Sequence, residues 1–356
     1  MEEAVQRKTT NGKALGNKTK ETNNSGVKVP SYSHLSSLVK KVVEESSWWE
    51  KHGVDLALMV CTIAATPAAF LLMGHGSTIG FIAGFLLLGY VHGATGVKFG
   101  HCAIHDSLVG TSKFWNRVMS ILFVEFWGGF TDVGGREAHI QMHHPYTNII
   151  GLGDSSVWKV PILGRVSYLF IGPIFLPLIY PLVAINLLGP RPLEILRLLV
   201  VIGLGYWFQI WLFMNVSGLT FGAALLCMFL VRSIYAIPYI HVNIFQHIGL
   251  AMFDPKNKPK SRLFQMSNGV LNLPRIPLLD YTFGHGLISC HVEHHLFPRL
   301  SDNMCLKIKP VVSSYLRDHG LPYNEDTYMD RLKMFYNRYD ELMVNAPKIT
   351  ELVGIQ

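Results

Sequence analysis

Long apolar runs separated by short polar breaks organise most of this chain, and their lengths predict helices that cross a membrane. Val54–Met73 is a 20-residue apolar run, about the length that spans a bilayer core as a helix. A Gly-His-Gly-Ser break follows, and Thr78–Val97 forms a second run. The two predict a helical hairpin that returns the chain to its starting side near His101. Residues 114–130 are apolar but carry Arg117 and Glu125, a pattern that predicts an interfacial helix and not a span.

Three more runs lie at about 166–188, 196–215 and 219–240. The first holds Pro173, Pro177 and Pro181 at four-residue spacing. Proline removes a helical hydrogen bond and clashes with the preceding turn, so a broken or kinked helix is predicted there. The second run is clean, and the third carries Arg232 near its end. The short Asn215–Thr220 turn predicts that they pair as a hairpin. If the histidine clusters on either side of the three runs share one site, an even number of spans separates them. The proline-rich run is therefore assigned as re-entrant or interfacial.

The predicted fold is an all-α integral membrane protein with four transmembrane helices in two hairpins, and a cytosolic helical cap that carries the histidines. Residues 1–32 form a polar tail too poor in large apolar side chains to fold. Residues 33–356 form the membrane domain, of which 299–356 are amphipathic and complete the cap. Leu35–Glu50 is amphipathic and ends in Trp48 and Trp49, residues that favour the membrane–water interface.

Composition agrees with this pattern. Hydrophobic residues make up 49% and charged residues 15% of 356, whereas a soluble domain carries about 25% charged residues. The formal net charge is +7, which suits a cytosolic face against anionic lipid or an acidic partner. No nucleic-acid motif accompanies that charge, so nucleic acid is the weaker reading and no such partner is expected. In the tail, Arg7, Lys8, Lys13, Lys18, Lys20 and Lys28 outnumber Glu2, Glu3 and Glu21, which places the N-terminus in the cytosol. The five cysteines, Cys61, Cys102, Cys227, Cys290 and Cys305, form no CxxC pair and read as reduced. The glycosylation patterns at Asn17 and Asn215 are expected to be unused, the first being cytosolic and the second too near the membrane.

The chemistry lies in the 16 histidines. Eight fall in three clusters: His101 and His105 in HCAIH, His139, His143 and His144 in HIQMHH, and His291, His294 and His295 in HVEHH. Residues three or four apart share a helix face, so each cluster is expected to present its imidazoles to one point. Eight imidazoles exceed what one ion uses, and fit two ions with four or five ligands each. Imidazole suits iron, zinc and copper alike, so ligand chemistry leaves the metal open.

The three clusters resemble the HX(3–4)H, HX(2–3)HH and [HQ]X(2–3)HH boxes of the membrane fatty acid desaturases and their hydroxylase relatives. The order of hairpin, two boxes, two spans and third box is also similar, over about residues 48–345. The resemblance implies that all eight histidines bind a centre of two iron ions. It further implies a ninth ligand, His247, and a ligand through water, Asn243, because acyl-CoA desaturases place an asparagine four residues before an additional histidine, as in Asn243-Ile-Phe-Gln-His247. The stretch HVEHHLFPRLSDN is closer to the acyl-lipid and front-end desaturases. His291 stands where front-end enzymes have Gln, and no HPGG motif of a fused cytochrome b5 occurs. Cytochrome b5 as a separate electron donor is therefore implied, with Lys113, Arg117, Lys256, Lys258, Lys260 and Arg262 as candidates for steering it.

What the resemblance implies is desaturation of a fatty acyl lipid or acyl-CoA at the endoplasmic reticulum, with electrons and O2. Removing hydrogen from a saturated methylene needs an oxidant that side chains cannot supply and an iron–oxygen cofactor can. Alternatives with the same boxes are a lipid or sterol hydroxylase and a sphingolipid desaturase. A metal transporter would place ligands inside the spans, and a non-catalytic relative would not need intact boxes. Asp106, Asp132, Asp154, Asp280 and Glu293 are candidates for supporting ligand histidines, though each reads first as a solvated surface group. His285 reads as a helix-surface residue, His92 as a packed or tunnel-end residue, and His241 as a possible support. His34, His52, His75 and His319 lack metal spacing.

Overall fold

A computed structural model describes residues 30–153 and 162–344. Most of the tail, and Asp154 with it, lie outside the described residues. Helix α1 (Tyr32–Glu45) leads into five helices long and apolar enough to cross a membrane: α2 (Trp49–Gly74), α3 (Thr78–Ile104), and three more described below. Side chains such as Val60, Ile79 and Leu71 stand outward on the first two, where lipid and not water accommodates them. The chain is a multi-pass membrane protein.

The α2–α3 hairpin is closed by Ser77, whose hydroxyl accepts from the Gly80 amide at 3.1 Å, a standard N-cap. The helices then pack backbone to backbone. A Cβ at Gly84 would lie 2.5 Å from the Ala69 carbonyl oxygen and 2.7 Å from the Met73 nitrogen, so only glycine permits the approach. The second apolar run does not stop at Val97. It continues through a π turn at Ala94–Phe99 into Gly100–Ile104, so the first box grows directly out of the membrane helix.

Helix α4 (Lys113–Ser120) and its π continuation Ile121–Trp127 occupy the segment expected to be interfacial. The helix is fastened at Glu125, fully buried, which takes two guanidinium bonds from Arg197 at 2.7 Å each. Its end dips beside the membrane helices, where Arg232 donates to the carbonyls of Trp127 (3.0 Å) and Gly128 (3.1 Å) and to Gln209 (2.9 Å). The guanidinium thus satisfies the open carbonyls of a helix C-terminus, which accounts for an arginine inside an apolar run. Helix α5 (Asp132–Gly135) is capped by Thr131 and passes into the π-helix Arg136–His143 that holds the second box.

Helix α6 (Ser167–Leu188) is the proline-rich run. It stays continuous by changing geometry: π at Ser167–Ile171, 3-10 at Gly172–Phe175, then α, with Pro181 inside. Helices α7 (Pro192–Asn215) and α8 (Phe221–Phe245) form the second hairpin. Gly205 of α7 lies against the Phe126 carbonyl, where any side chain would collide.

The cap is built from α9 (Arg262–Gly269), α10 (His291–Leu296), α11 (Asp302–Asp318) and α12 (Tyr328–Asn337). One core joins α1 to it through Leu35, Val39, Met266, Val292, Ile308 and Val312. Leu271–Asn272 and Asn324–Glu325 pair as a two-stranded parallel sheet. Two buried contacts tie the cap to the membrane helices. Lys98 of α3 pairs with Asp302 at 2.9 Å, and Asp55 of α2 accepts from the Asn303 amide at 3.1 Å.

Candidate metal centre

All nine predicted histidines meet beneath the cap, in two groups. His101, His105, His139, His144 and His294 form one, and His143, His247, His291 and His295 the other; within each group the ligand nitrogens lie within 4.8 Å of one another. The groups adjoin, with the rings of His144 and His295 4.4 Å apart. The expectation that each cluster serves one point is corrected for the second and third boxes. The second is wound as a π-helix, in which His144 N–H bonds to the His139 carbonyl five residues back. The i→i+5 bonding aligns His139 with His144 and turns His143 to the other group. In the third box His291 and His295, one α-turn apart, face one group and His294 the other.

The geometry fits metal ions. His101 Nε2 is 2.9 Å from His139 Nε2, His144 Nε2 is 3.1 Å from the same atom, and His291 Nε2 is 2.8 Å from His247 Nε2. Two nitrogens each about 2.1 Å from one ion and about 90° apart sit about 3 Å from each other. The Nε2 atoms of His105, His294 and His295 are buried without a protein partner, an arrangement that a ligated ion satisfies. Burial holds the imidazoles neutral, as ligands must be. It lowers His143 to about 4 and His291 to about 3, and places His105, His139, His144, His247, His294 and His295 well below the ordinary histidine value.

The second nitrogens differ between the groups. In the four-histidine group, His143 Nδ1 donates to the Gly153 carbonyl (3.4 Å), His247 Nδ1 to Gly269 (3.1 Å) and His291 Nδ1 to Gly286 (2.8 Å). His295 Nδ1 donates to Thr147 Oγ1 at 3.1 Å, while that hydroxyl donates to the His143 carbonyl at 2.7 Å. Asn148, at φ +54°, bonds the Gly269 and His247 carbonyls and so steadies the same loop. In the five-histidine group no Nδ1 has a partner among the described residues, and that of His144 is buried without one.

None of the described candidate carboxylates bonds a box histidine. Three of them are not solvated surface groups either, since Asp132, Asp280 and Glu293 are fully buried. Asp132 pairs with Arg117 and Arg136, and Asp106 with Arg136. Arg136 also donates to the carbonyls of Ala103 (3.0 Å) and Ile104 (2.7 Å). One guanidinium therefore clamps the end of the first box from three residues before His139. Glu293 accepts from Asn272 (3.0 Å) and Tyr323 (2.7 Å), and burial lifts it to about 7. His285 is buried, contrary to its surface reading, and its Nδ1 lies 3.2 Å from Asp280.

Asn243 is four residues before His247, and its amide N–H donates to the Tyr239 carbonyl at 2.7 Å. His241 bonds the Tyr328 hydroxyl (2.6 Å) and the Leu169 carbonyl (2.9 Å), fixing α8 to α12 and α6. His92 lies on α3 outside both groups, as do His34, His52, His75 and His319. Of the proposed steering cations, Arg117 is engaged with Asp132 and Arg262 with the His295 carbonyl. Lys113, Lys256 and Lys260 have no carboxylate partner among the described residues, and Lys258 lies over the Tyr146 ring at 5.4 Å.

The supporting groups lay beyond sequence reasoning because backbone carbonyls carry no side-chain signature, and Thr147 and Arg136 act across the fold. Comparison with known proteins agrees with the site. The fatty acid desaturase family model matches residues 77–327, a stretch that includes all nine histidines. Fatty acid desaturase 6 of Bos taurus is 52% identical over 324 residues, 90% of this chain and 94% of that protein. Fatty acid desaturase 6 of Homo sapiens is 52% identical over 325 residues, 90% of each chain. Acyl-lipid (9-3)-desaturase of Borago officinalis is 25% identical over 145 residues, 40% of this chain and 32% of that protein. With its three histidine boxes inside the matched region and relatives of this identity along nine-tenths of its length, the chain belongs to the fatty acid desaturase family.

Proposed function

We propose that this protein desaturates a fatty acyl chain, with two iron ions held by His101, His105, His139, His144 and His294 on one side and His143, His247, His291 and His295 on the other. The observation that carries this reading is the convergence of nine histidines, eight from three distant boxes and His247 from just past α8, into two adjoining groups. When bound, iron with O2 and electrons supplies the oxidising power that side chains lack. The chain's own part is to hold the ligands, orient the acyl carbons and exclude water. Asn243, four residues before His247, supports an ion through water. The substrate is a fatty acyl lipid or acyl-CoA, and the donor is cytochrome b5, steered by Lys113, Lys256, Lys258 and Lys260.

The topology in this reading has four spans, with the N-terminus, the cap and the centre in the cytosol of an endoplasmic reticulum membrane. Support comes from the ends of α6. Ahead of its start, Arg165 pairs with Asp340 of the cap at 2.8 Å. Just past its finish, Arg191 takes Glu137, two residues before His139, through two bonds of 2.7 and 2.9 Å. Both ends thus lie on the histidine side. The α7–α8 turn instead meets the far end of α2, where the Ser217 hydroxyl donates to the Phe70 carbonyl at 2.8 Å.

Metal analysis and Mössbauer spectroscopy of purified protein, beside a His294→Ala variant, test the proposal. Two irons per chain, with at least one lost in the variant, are expected. Incubation with lipid, reductant and 18O2 should then yield an unsaturated product without 18O. One zinc per chain, or an 18O-labelled alcohol, would overturn the desaturase reading.

A further inference from the structure

The two histidine groups are supported unequally, and this has a consequence for how the centre fills. We propose that the four-histidine site of His143, His247, His291 and His295 takes up its ion first and holds it more tightly. The five-histidine site of His101, His105, His139, His144 and His294 fills second and exchanges its ion. The inference rests on the two-ion reading above and goes beyond it.

The argument starts from the tautomer. An imidazole ligates through one nitrogen only if the other keeps its proton and the ring is aimed correctly. In the four-histidine group every Nδ1–H has an acceptor: the Gly153, Gly269 and Gly286 carbonyls and the Thr147 hydroxyl. Those acceptors are themselves held. Thr147 is committed as a donor to the His143 carbonyl, so its oxygen accepts from His295. Asn148 fixes the Gly269 carbonyl, and the Asp302 carboxylate accepts from the Gly286 amide at 2.8 Å. All four rings are therefore set with Nε2 toward the ion before any ion arrives.

The five-histidine group lacks such acceptors among the described residues, and its rings must be ordered by the ion itself. One additional imidazole works in its favour. Four oriented partners work against it, each worth about 10–100-fold in metal affinity. The partners outweigh the added ligand. Access differs in the same sense. A cavity of about 210 Å³ has His105 in its wall, with Arg136, Gln141 and Arg299 around it. Gln141 and Arg299 are exposed, so the cavity leads from solvent to the less supported site.

The test is anaerobic titration of the metal-stripped full chain in lipid nanodiscs with Fe2+, against a chelator of known affinity, counting ions bound per chain. Wild type should bind in two steps separated by about 10-fold or more. Thr147→Val should weaken the tighter step by about 10-fold and leave the weaker one, and Thr147→Ser should restore it. His105→Ala should remove the weaker step and leave one tightly bound ion, which guards against a Thr147 variant that fails to fold. Two ions bound with one indistinguishable affinity, or a His105→Ala chain that loses the tighter step, would overturn the inference. A wild-type chain that never takes more than one ion would instead overturn the two-ion reading beneath it.

Discussion

At the scale of single residues, Arg136 concentrates more of the site's geometry than any predicted residue outside the histidines. Its guanidinium bonds Ala103, Ile104, Asp106 and Asp132 while its backbone belongs to the second-box helix. Asp106 sits at φ +56°, a left-handed turn that aspartate tolerates better than most side chains and that ends the first box where Arg136 can reach it. Arg136→Ala should separate the first box from the second. Iron retention in the five-histidine group is expected to fall by about 10-fold or more, while the four-histidine group keeps its ion. Arg136→Lys should fail to rescue, because one ammonium cannot reproduce a planar fork. Iron per chain after dialysis against a chelator reads both outcomes, and a Lys variant that retains two ions would refute the clamp. The contrast between His139 and Arg136 marks what was legible. Histidine spacing is local, so it appears in the sequence. The acceptors of the second nitrogens are not local: Thr147 meets His295, 148 residues away, and the others are main-chain carbonyls.

At the scale of elements, apolar length identified each long helix, and periodicity misjudged how the short second- and third-box helices divide their ligands between the groups. The α-helical rule placed His139 and His143 on one face, yet the second box is π-wound and divides them between groups. In α6 a 3-10 turn at Gly172–Phe175 takes up Pro173, while Pro177 stands in the first turn of the α segment and Pro181 inside it. Such local departures from α geometry arise from packing around the site and leave little trace in a hydrophobic pattern. Close backbone approach is likewise decided by the partner helix. Gly84→Ala adds one carbon at 2.5 Å from the Ala69 carbonyl, so α2 and α3 must move apart. Overpacking of this kind costs about 1–3 kcal/mol. Thermal unfolding in detergent should show a lower midpoint for Gly84→Ala. Gly203 of α7, which has open space at its Cβ position, serves as the control, and Gly203→Ala should unfold like wild type.

At the scale of the whole molecule, the histidine centre and the bilayer constrain each other. Because His139, His143 and His144 meet His247, His291, His294 and His295 in space, the chain between them crosses the membrane an even number of times. Three helices there are long and apolar enough to cross, so length alone cannot choose the pair. In the four-span reading proposed above, polar contacts at the helix ends do. Arg165–Asp340 and Arg191–Glu137 bracket α6 on the side of the cap and the second box, whereas Ser217 reaches Phe70 near the opposite end of α2. If α6 crossed, the Gly189–Arg191 turn would lie on the far side of the membrane from Glu137, and the ion pair would have to form through the bilayer. The two turns therefore carry opposite expectations. In sealed vesicles with the cytosolic face outward, a single cysteine at Gly189→Cys, on a cysteine-free background that retains iron, should react with a membrane-impermeant maleimide. One at Gly218→Cys should react only after the membrane is opened. The reverse pattern would mean that α6 and α7 form the crossing pair. Labelling of neither before opening would mean that α6 and α8 cross, and that α7 lies along the far surface. Only the first result leaves the Arg191–Glu137 pair and the nine histidines on one side of the membrane, where a water-soluble electron donor can reach them.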